Sequence, residues 1–350
     1  MDLLKLVRYA IEKNASDIHI TVGVPPILRI NGFLVDIDEE KLEPEDTENL
    51  VRQALNDKQR QKLMDEGEID TSFSSPDIGR LRVNIYKQKG NYAMAMRIIP
   101  LNAPTIEELG LPSVIKDLAR FPRGLILITG PTGSGKSTTL AAMIRLMNEE
   151  KRYHILTLED PIEYLHKHDK SIINQREIGS DSHSFAKALR STLRQDPDVI
   201  LVGEMRDLET MGIVLTAAET GHLVLSTLHT IGAAKTIDRV IDAFPPHQQQ
   251  QIRIQFSSVI QAIISQQLLP RIDRDGRVAA FEIMIANSAI RNLIREGKSN
   301  QIDNSIQTGG RYGMQTMDNS LLELYNKKII SKITLLNQAI NLDVMKRYVL

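Results

Sequence analysis

The sequence contains no cysteine and no tryptophan among its 350 residues. Without cysteine the chain can form neither a disulfide nor a thiolate zinc site, which suits a reducing compartment. No segment approaches the roughly 20 consecutive apolar residues that cross a bilayer. Near the N-terminus, Asp2, Lys5, Arg8 and Glu12 interrupt any signal-peptide core. We therefore expect a soluble, cytoplasmic protein without a transmembrane segment.

An excess of basic charge is also missing. The 43 lysines and arginines are balanced by 44 aspartates and glutamates, which leaves a net charge of −1. A dedicated duplex-binding protein usually shows a basic excess, so no stable nucleic-acid binding is expected, although a local basic ring is compatible with a neutral total. The length is sufficient for two domains with separate cores.

The hydrophobic pattern predicts a small α+β domain and a larger α/β domain, joined by a linker. Residues 1–99 predict a small α+β domain with an N-terminal helix, strands in SDIHITV and ILRINGFLVDI, one charged helix over about 44–65, and a terminal hairpin. Residues 100–112, with three prolines, predict the linker. Residues 113–350 predict a parallel sheet covered by helices on both faces, followed by a mostly helical part after about residue 245.

The stretch GPTGSGKS follows an apolar strand and opens a helix, which is the context of a phosphate-binding loop. Its glycines let successive backbone N–H groups turn toward an anion, and the helix N-terminus adds partial positive charge. Lys136 is expected to reach the β and γ phosphates, and the Ser137 hydroxyl to bind Mg²⁺. The predicted ATP-binding residues are Gly130, Pro131, Thr132, Gly133, Ser134, Gly135, Lys136, Ser137 and Thr138.

Two acidic clusters follow later strands. Glu159, Asp160 and Glu163 lie in LEDPIEY, and Glu204 closes the strand DVILVGE. Hydrolysis of ATP needs one carboxylate near the magnesium ion and one that orients or deprotonates the attacking water. We predict Ser137, Glu159, Asp160 and Glu204 as Mg²⁺ ligands, and Glu204 and Glu163 as catalytic carboxylates. A solvated loop at a strand end is the alternative for the first cluster.

Two histidines flank the strand LVLST. His222 precedes it and His229 follows it, and their spacing is not that of zinc ligands. We interpret His229 as a sensor of the γ-phosphate. For His222, a part in a conformational relay and a hydrogen-bonded structural role remain equally open.

The motifs GPTGSGKST, LEDPIEY, LRQDPDVILVGEMRD and TGHLVLSTLHT occur in the order seen in the type II/type IV secretion ATPase superfamily. The resemblance extends over essentially the whole chain, including SDIHI. Within the superfamily, AIRNLIRE at 289–296 resembles a signature of the ATPases that retract type IV pili. Extension ATPases are longer and usually carry a four-cysteine zinc site, which this chain lacks.

This resemblance implies a PAS-like N-terminal domain and a RecA-like P-loop ATPase domain, assembled as a homohexamer. It implies Mg-dependent ATP hydrolysis that powers pilus retraction and twitching motility, at the inner-membrane platform protein of the pilus base. Arg82 and Arg97 stand at the positions of the arginine fingers of this family. Without the resemblance, the local sequence would favour ordinary arginines on β-strands. Arg206 is a candidate for signalling between subunits.

The segment AIRNLIRE also has a physical interpretation as an amphipathic helix. Ile290, Leu293 and Ile294 form a predicted buried stripe, and Arg291 and Arg295 stand four residues apart on the other face. We expect both arginines to face an acidic partner, with an ordinary surface helix as the alternative. For the whole chain, the alternatives are a related secretion or DNA-uptake ATPase, a RecA-like nucleic-acid translocase, and a regulatory protein with little hydrolysis.

Overall fold

The protein divides into two compact units. The structure, a computed structural model, describes residues 1–37, 39–75, 78–100 and 102–349. The first unit comprises Met1–Asn102 together with Glu163–His166, and the second comprises Ala103–Ile162 and Lys167–Leu350. The short segment Glu163–His166 therefore belongs to the first unit although its neighbours in sequence belong to the second.

The first unit is an antiparallel sheet of six strands with helices on one side. Its first helix shows how the sequence directs this packing, because its buried residues Leu3, Leu6, Val7 and Ala10 recur at helical spacing. The sheet order is β3-β2-β1-β6-β5-β4. The elements are α1 Leu3–Glu12, β1 Asp17–Ile20, β2 Ile27–Ile30, β3 Phe33–Asp36, α2 Pro44–Ala54, α3 Asp57–Glu66, β4 Glu68–Ser75, β5 Gly79–Gln88 and β6 Asn91–Ile99.

The second unit is built on a seven-stranded sheet with the order β13-β12-β7-β11-β10-β8-β9. Strands β7 to β12 run parallel to their neighbours, and only β13 pairs antiparallel, with β12. The strands are β7 Gly124–Thr129, β8 His154–Glu159, β9 Ile172–Glu177, β10 Val199–Val202, β11 Leu223–Leu228, β12 Ile260–Pro270 and β13 Arg277–Ile285.

Helices cover both faces of this second sheet. They are α4 Val114–Ala119, α5 Lys136–Glu150, α6 Phe185–Thr192, α7 Leu208–Glu219, α8 Ala233–Asp242, α9 Pro246–Val259, α10 Ser288–Arg295, α11 Ile302–Thr308, α12 Met317–Asn326, α13 Lys332–Gln338 and α14 Leu342–Val349. In β7, Leu125 and Leu127 belong to the core beneath α7, whereas Ile126 and Ile128 belong to the core beneath α5. Successive side chains of one strand thus supply both cores.

This topology brings the predicted site motifs to one edge of the sheet. Strands β7, β10 and β11 are parallel, so their carboxyl ends lie at the same edge. The phosphate loop follows β7, Glu204 follows β10, and His229 follows β11. The mixed α/β fold class predicted from the sequence is confirmed.

Three features of the fold differ from the sequence-based expectation. Within the region after residue 245, the strands β12 and β13 form a long buried hairpin that the hydrophobic pattern did not predict. The charged segment 44–65 forms two helices, α2 and α3, separated at Leu55 and Asn56. Strand β4 completes the first sheet, although its sequence EIDTSFSS has little apolar signal.

Within the described part of the chain, no helix combines the length and the apolar character needed to span a bilayer.

Candidate functional site

The phosphate loop has a backbone that requires glycine at several positions. Gly130, Gly133 and Gly135 have φ angles of 142°, 77° and 88°, in the range that residues with a β-carbon rarely adopt. A β-carbon at Gly130 would also overlap the carbonyl oxygen of Gln266 on the adjacent strand β12. The loop is therefore shaped by its own torsions and by close packing against β12.

Lys136 is the first residue of α5 and is buried. Its Nζ donates hydrogen bonds to the carbonyl oxygens of Gly130 at 2.9 Å and Pro131 at 3.0 Å. The ammonium group is thus held within the loop by two neutral oxygens. A phosphate group would offer this cation a charged acceptor, which forms the stronger hydrogen bond.

Several polar side chains lie beneath and beside the phosphate loop, where an anion would bind. Thr139 Oγ1 donates to Gln266 Oε1 at 2.8 Å, which ties α5 to β12. By contrast, Ser134 Oγ, Thr129 Oγ1 and Gln267 Oε1 are buried without a hydrogen-bond partner among the described residues. Unsatisfied polar atoms in a buried site point to a ligand or water that completes them. The cradle of glycines, the buried lysine and the two hydroxyl groups fit a bound phosphate, whereas the Gln267 oxygen can only accept from a donor such as water.

Glu204, Arg206 and His229 form a second group at the same edge of the sheet. Arg206 Nε donates to Glu204 Oε2 at 2.8 Å, and His229 Nε2 lies 3.3 Å from Glu204 Oε1. Hydrogen bonding to Glu204, followed by its charge, raises the pKa of Arg206. Glu204 is mostly buried, whereas the other two side chains are largely exposed. One carboxylate therefore organises a histidine and an arginine that both remain accessible.

The first acidic cluster is divided by the structure. Glu159 ends β8, and its Oε1 accepts hydrogen bonds from Thr157 at 2.6 Å and Gln175 at 3.2 Å. Strand β8 lies three inter-strand steps from β7, about 14 Å. Glu163 belongs to the first unit.

His222 lies at the opposite edge of the sheet from His229, because the two residues bound the same strand. Its Nδ1 is 2.9 Å from the carbonyl oxygen of Ala217, and Thr220 Oγ1 is 3.3 Å away. The ring closes the turn between α7 and β11. This position supports the structural alternative for His222.

Arg82 and Arg97 stand next to each other in the first sheet. They are direct partners across β5 and β6, and Arg97 is in turn paired with Asp17 of β1. Arg97 Nε donates to Asp17 Oδ1 at 2.8 Å, while Arg82 forms no ion pair with a described residue. Burial of Asp17 opposes its ionisation, but hydrogen bonds from Ser16 and Arg97 lower its pKa overall. Arg97 is anchored and Arg82 is not.

The sequence predicts that Arg291 and Arg295 both stand on the exposed face of α10. For Arg291 this prediction is wrong. Arg291 is half-buried, and its guanidinium donates to the carbonyl oxygens of Ala286, Ser257 and Ser258 and to the side-chain oxygen of Gln261. Ser257 and Ser258 belong to the last turn of α9. Arg295 is exposed. The periodicity of α10 separated apolar from polar positions, but it did not show the carbonyl groups of α9 beside Arg291.

Polar residues on β12 and β13 also contact the site, although the motifs in the sequence did not indicate them. Ser265, Gln266, Gln267 and Glu282 are buried in strands that are otherwise apolar. The signal for the three residues of β12 is the interruption SQQ within VIQAIISQQLLP, which is unusual for a buried strand. Because this region was expected to be helical, the interruption was not connected with the phosphate loop.

A cavity of about 980 Å³ adjoins the phosphate loop within the second unit. Gly135, Thr138 and the segment 107–113 line one side, and Arg271 and Arg277 line the other. Its volume is in the upper range of small-molecule pockets, and its charged lining combines these arginines with Glu107, Glu108 and Glu323.

The family described as Type II/IV secretion system protein matches residues 2–329. The chain belongs to this family.

Individual relatives agree with this assignment. The type IV pilus retraction ATPase PilT of Pseudomonas aeruginosa is 50% identical over 95% of this chain and 96% of its own length. The twitching motility protein of Neisseria gonorrhoeae is 50% identical over 91% of this chain and 86% of its own. A crystal structure of the pilus retraction motor PilT with bound ADP covers 99% of both chains, with 49% identity and a TM-score of 0.92. The resemblance inferred from the motifs is thereby confirmed.

Proposed function

We propose that this chain is the ATPase motor that retracts type IV pili and so powers twitching motility. The observation that carries the proposal is the arrangement at one sheet edge. There, a phosphate loop closed around Lys136 lies two strands away from the mostly buried Glu204, which holds His229 and Arg206. The biological role is inferred from PilT of Pseudomonas aeruginosa, which is 50% identical over 95% of this chain.

Hydrolysis at this edge follows from the residues present. Water attacks the γ-phosphorus of ATP, the bond to the bridging oxygen breaks, and ADP and phosphate leave. Glu204 orients the water and accepts its proton, and His229 responds to the γ-phosphate. The Lys136 ammonium and the backbone N–H groups of the loop stabilise the negative charge. Hydroxyl and carboxylate oxygens are the ligands that Mg²⁺ prefers, so Ser137 and Glu204 would hold the ion, which neutralises phosphate charge when bound.

The cavity beside the loop is our candidate for the nucleoside. It begins at Gly135 and Thr138, directly after the loop, and its size suits a base and a ribose. Arg271 and Arg277 would face the polar edge of the base or the ribose hydroxyls.

We assign a PAS-like fold to the first unit and a RecA-like ATPase fold to the second, with six copies in a ring. Arg82 and Arg97 would then act as arginine fingers toward a nucleotide on a neighbouring subunit, and Arg206 would signal between neighbours. The ring would work in the cytoplasm against the inner-membrane platform protein of the pilus machine. Glu163, Glu159 and Asp160 remain proposed contributors to the active site.

Mixed rings test whether the site is shared. Arg82→Ala and Arg97→Ala should each reduce ATP turnover strongly, because an arginine finger contributes on the order of 10³-fold. Mixing either variant with Lys136→Ala should restore part of the activity, since an intact finger then meets an intact loop. Verified mixed hexamers without any recovery would contradict sharing. Arg29→Ala, which removes another strand arginine near Asp17, is the control and should retain turnover.

A deletion mutant tests the biological role. Cells without this chain should be hyperpiliated and unable to twitch, and the wild-type chain should restore both properties, whereas Glu204→Gln should not. Normal pili combined with impaired protein secretion or DNA uptake would favour a related ATPase of the same family. Turnover that rises with DNA and falls steeply with salt would favour a nucleic-acid translocase.

A further inference from the structure

The paired strands β12 and β13 carry buried polar groups at the edge of the sheet that holds the site. Ser265 and Glu282 are direct partners in the antiparallel register, and their exposed fractions are 1% and 8%. A buried carboxylate is costly unless hydrogen bonds satisfy it. The hydrogen-bond partners of Ser265 and Glu282 therefore indicate the role of these two buried groups.

Both residues hold the start of the helix that follows the histidine loop, His229–Gly232. Gly232 N donates to Ser265 Oγ at 3.0 Å, and Ala233 N donates to Glu282 Oε1 at 2.7 Å. Helix α8 begins at Ala233 after Gly232, which has no side chain to cap it. Distant residues thus satisfy the N–H groups that a local cap ordinarily satisfies.

A chain of hydrogen bonds continues from this helix start into the histidine loop. Thr236 Oγ1 is 2.7 Å from the carbonyl oxygen of Gly232, and it is 2.6 Å from Thr230 Oγ1. Thr230 directly follows His229, whose Nε2 lies 3.3 Å from Glu204 Oε1. The position of His229 relative to Glu204 is therefore connected, bond by bond, to Ser265 and Glu282.

Glu282 also joins a second helix to this support. Its carboxylate accepts a hydrogen bond from the backbone N–H of Met317, the first residue of α12. Burial raises the pKa of Glu282, and the hydrogen bonds from Ala233 and Met317 oppose that rise. One carboxyl group, with two acceptor oxygens, thus serves backbone donors on two different helices, whereas an amide would offer one acceptor oxygen and one donor group.

We propose that Glu282, assisted by Ser265, is a positioning residue for ATP turnover that holds the histidine loop so that His229 faces Glu204. Glu282 makes no contact with the phosphate loop residues in this network, so it should influence the rate of hydrolysis and not the affinity for ATP. The proposal rests on the proposed ATPase function and on the role of His229.

The test compares turnover with nucleotide binding in the assembled protein. Glu282→Gln replaces one acceptor oxygen by a donor, and it should lower kcat about tenfold, the effect of one lost charge-assisted hydrogen bond. KM for ATP and the Kd of a fluorescent ATP analogue should stay within about twofold. Glu282→Leu should lower kcat further, and Ser265→Ala less. Asn287→Ala is the control, since it removes the cap of α10 without contacting the histidine loop.

Coupling to His229 separates positioning from general destabilisation. If Glu282 acts through the loop, the double variant Glu282→Gln/His229→Gln should have the kcat of His229→Gln alone. Multiplied losses, or a kcat of Glu282→Gln equal to wild type in folded protein, would overturn the proposal. A loss in Glu282→Gln combined with normal turnover in His229→Gln would also overturn it. Loss of ATP binding in Lys136→Ala checks the ATPase function independently of all these outcomes.

Discussion

The two edges of the parallel sheet use the same types of residue in opposite ways. At the carboxyl edge, Glu204 contacts the exposed His229, and the buried Lys136 is held inside the phosphate loop. At the amino edge, His222 and Arg291 are also polar, but backbone carbonyl groups occupy them. A histidine or arginine is thus a site residue or a turn-closing residue according to the strand end on which it stands.

Gln261 and Gln266 show the same contrast within a single strand. At the amino edge, Gln261 stands where the pairing of β12 with β7 is irregular; it donates to the carbonyl oxygen of Arg123 and accepts from Arg291. At the carboxyl edge, Gln266 accepts from Thr139 and packs against the glycines of the phosphate loop. One glutamine supports the fold, and the other supports the loop.

The largest expected effect is the loss of the phosphate-loop lysine. Lys136→Ala should lower ATP turnover by on the order of 10³-fold and weaken ATP binding, because no other buried cation of the loop replaces it. Lys151, just beyond the other end of the same helix, is the matched control, and Lys151→Ala should leave turnover unchanged. Phosphate release and calorimetric binding measure both. Equal effects of the two substitutions would remove the distinction between the edges.

The two histidines provide a smaller and sharper test. His229→Gln should lower kcat by about 10- to 100-fold with little change in thermal stability, because its ring faces Glu204. His222→Gln should keep kcat within about twofold, and it should lower the free energy of unfolding by about 1 kcal/mol through the weakened turn. Urea unfolding and steady-state kinetics on both variants decide the matter. A catalytic defect in His222→Gln would show that the relay interpretation was right.

The two arginines of α10 should differ in stability and not in chemistry. Arg291→Ala removes the hydrogen bonds to the end of α9 and should lower the free energy of unfolding by about 2 kcal/mol. Arg291→Lys should recover part of this loss. Arg295→Ala, an exposed substitution, should change stability by less than about 0.5 kcal/mol. Similar melting curves for Arg291→Ala and Arg295→Ala would contradict this difference in stability. If an acidic partner binds this helix, Arg295→Ala alone should impair twitching while ATP turnover continues.

The sequence predicted the carboxyl edge better than the amino edge, for physical reasons. The phosphate loop has a local signature, since glycines at fixed spacing create the anion cradle by themselves. Glu204 and His229 follow short buried strands whose apolar runs are easy to detect. The role of Arg291 depends on carbonyl groups more than 30 residues away, which no local pattern contains.

The strands β12 and β13 were not predicted from the sequence for a different reason. The run from Ile260 to Pro270 is apolar enough for either a buried helix or a buried strand, and periodicity does not separate the two. Pairing with β7 decides in favour of a strand. Once β12 was missed, the support that Ser265 and Gln266 give to the site could not be predicted either.

The most direct measurement of the central claim is ATP binding and phosphate release by Glu204→Gln. This substitution keeps the shape of the side chain and removes its charge. The variant should bind ATP with nearly wild-type affinity and release phosphate at least 10²-fold more slowly, because the loop that binds ATP is intact and the base is absent. Wild-type phosphate release by the folded variant would contradict the assignment of chemistry to Glu204 and to this edge of the sheet.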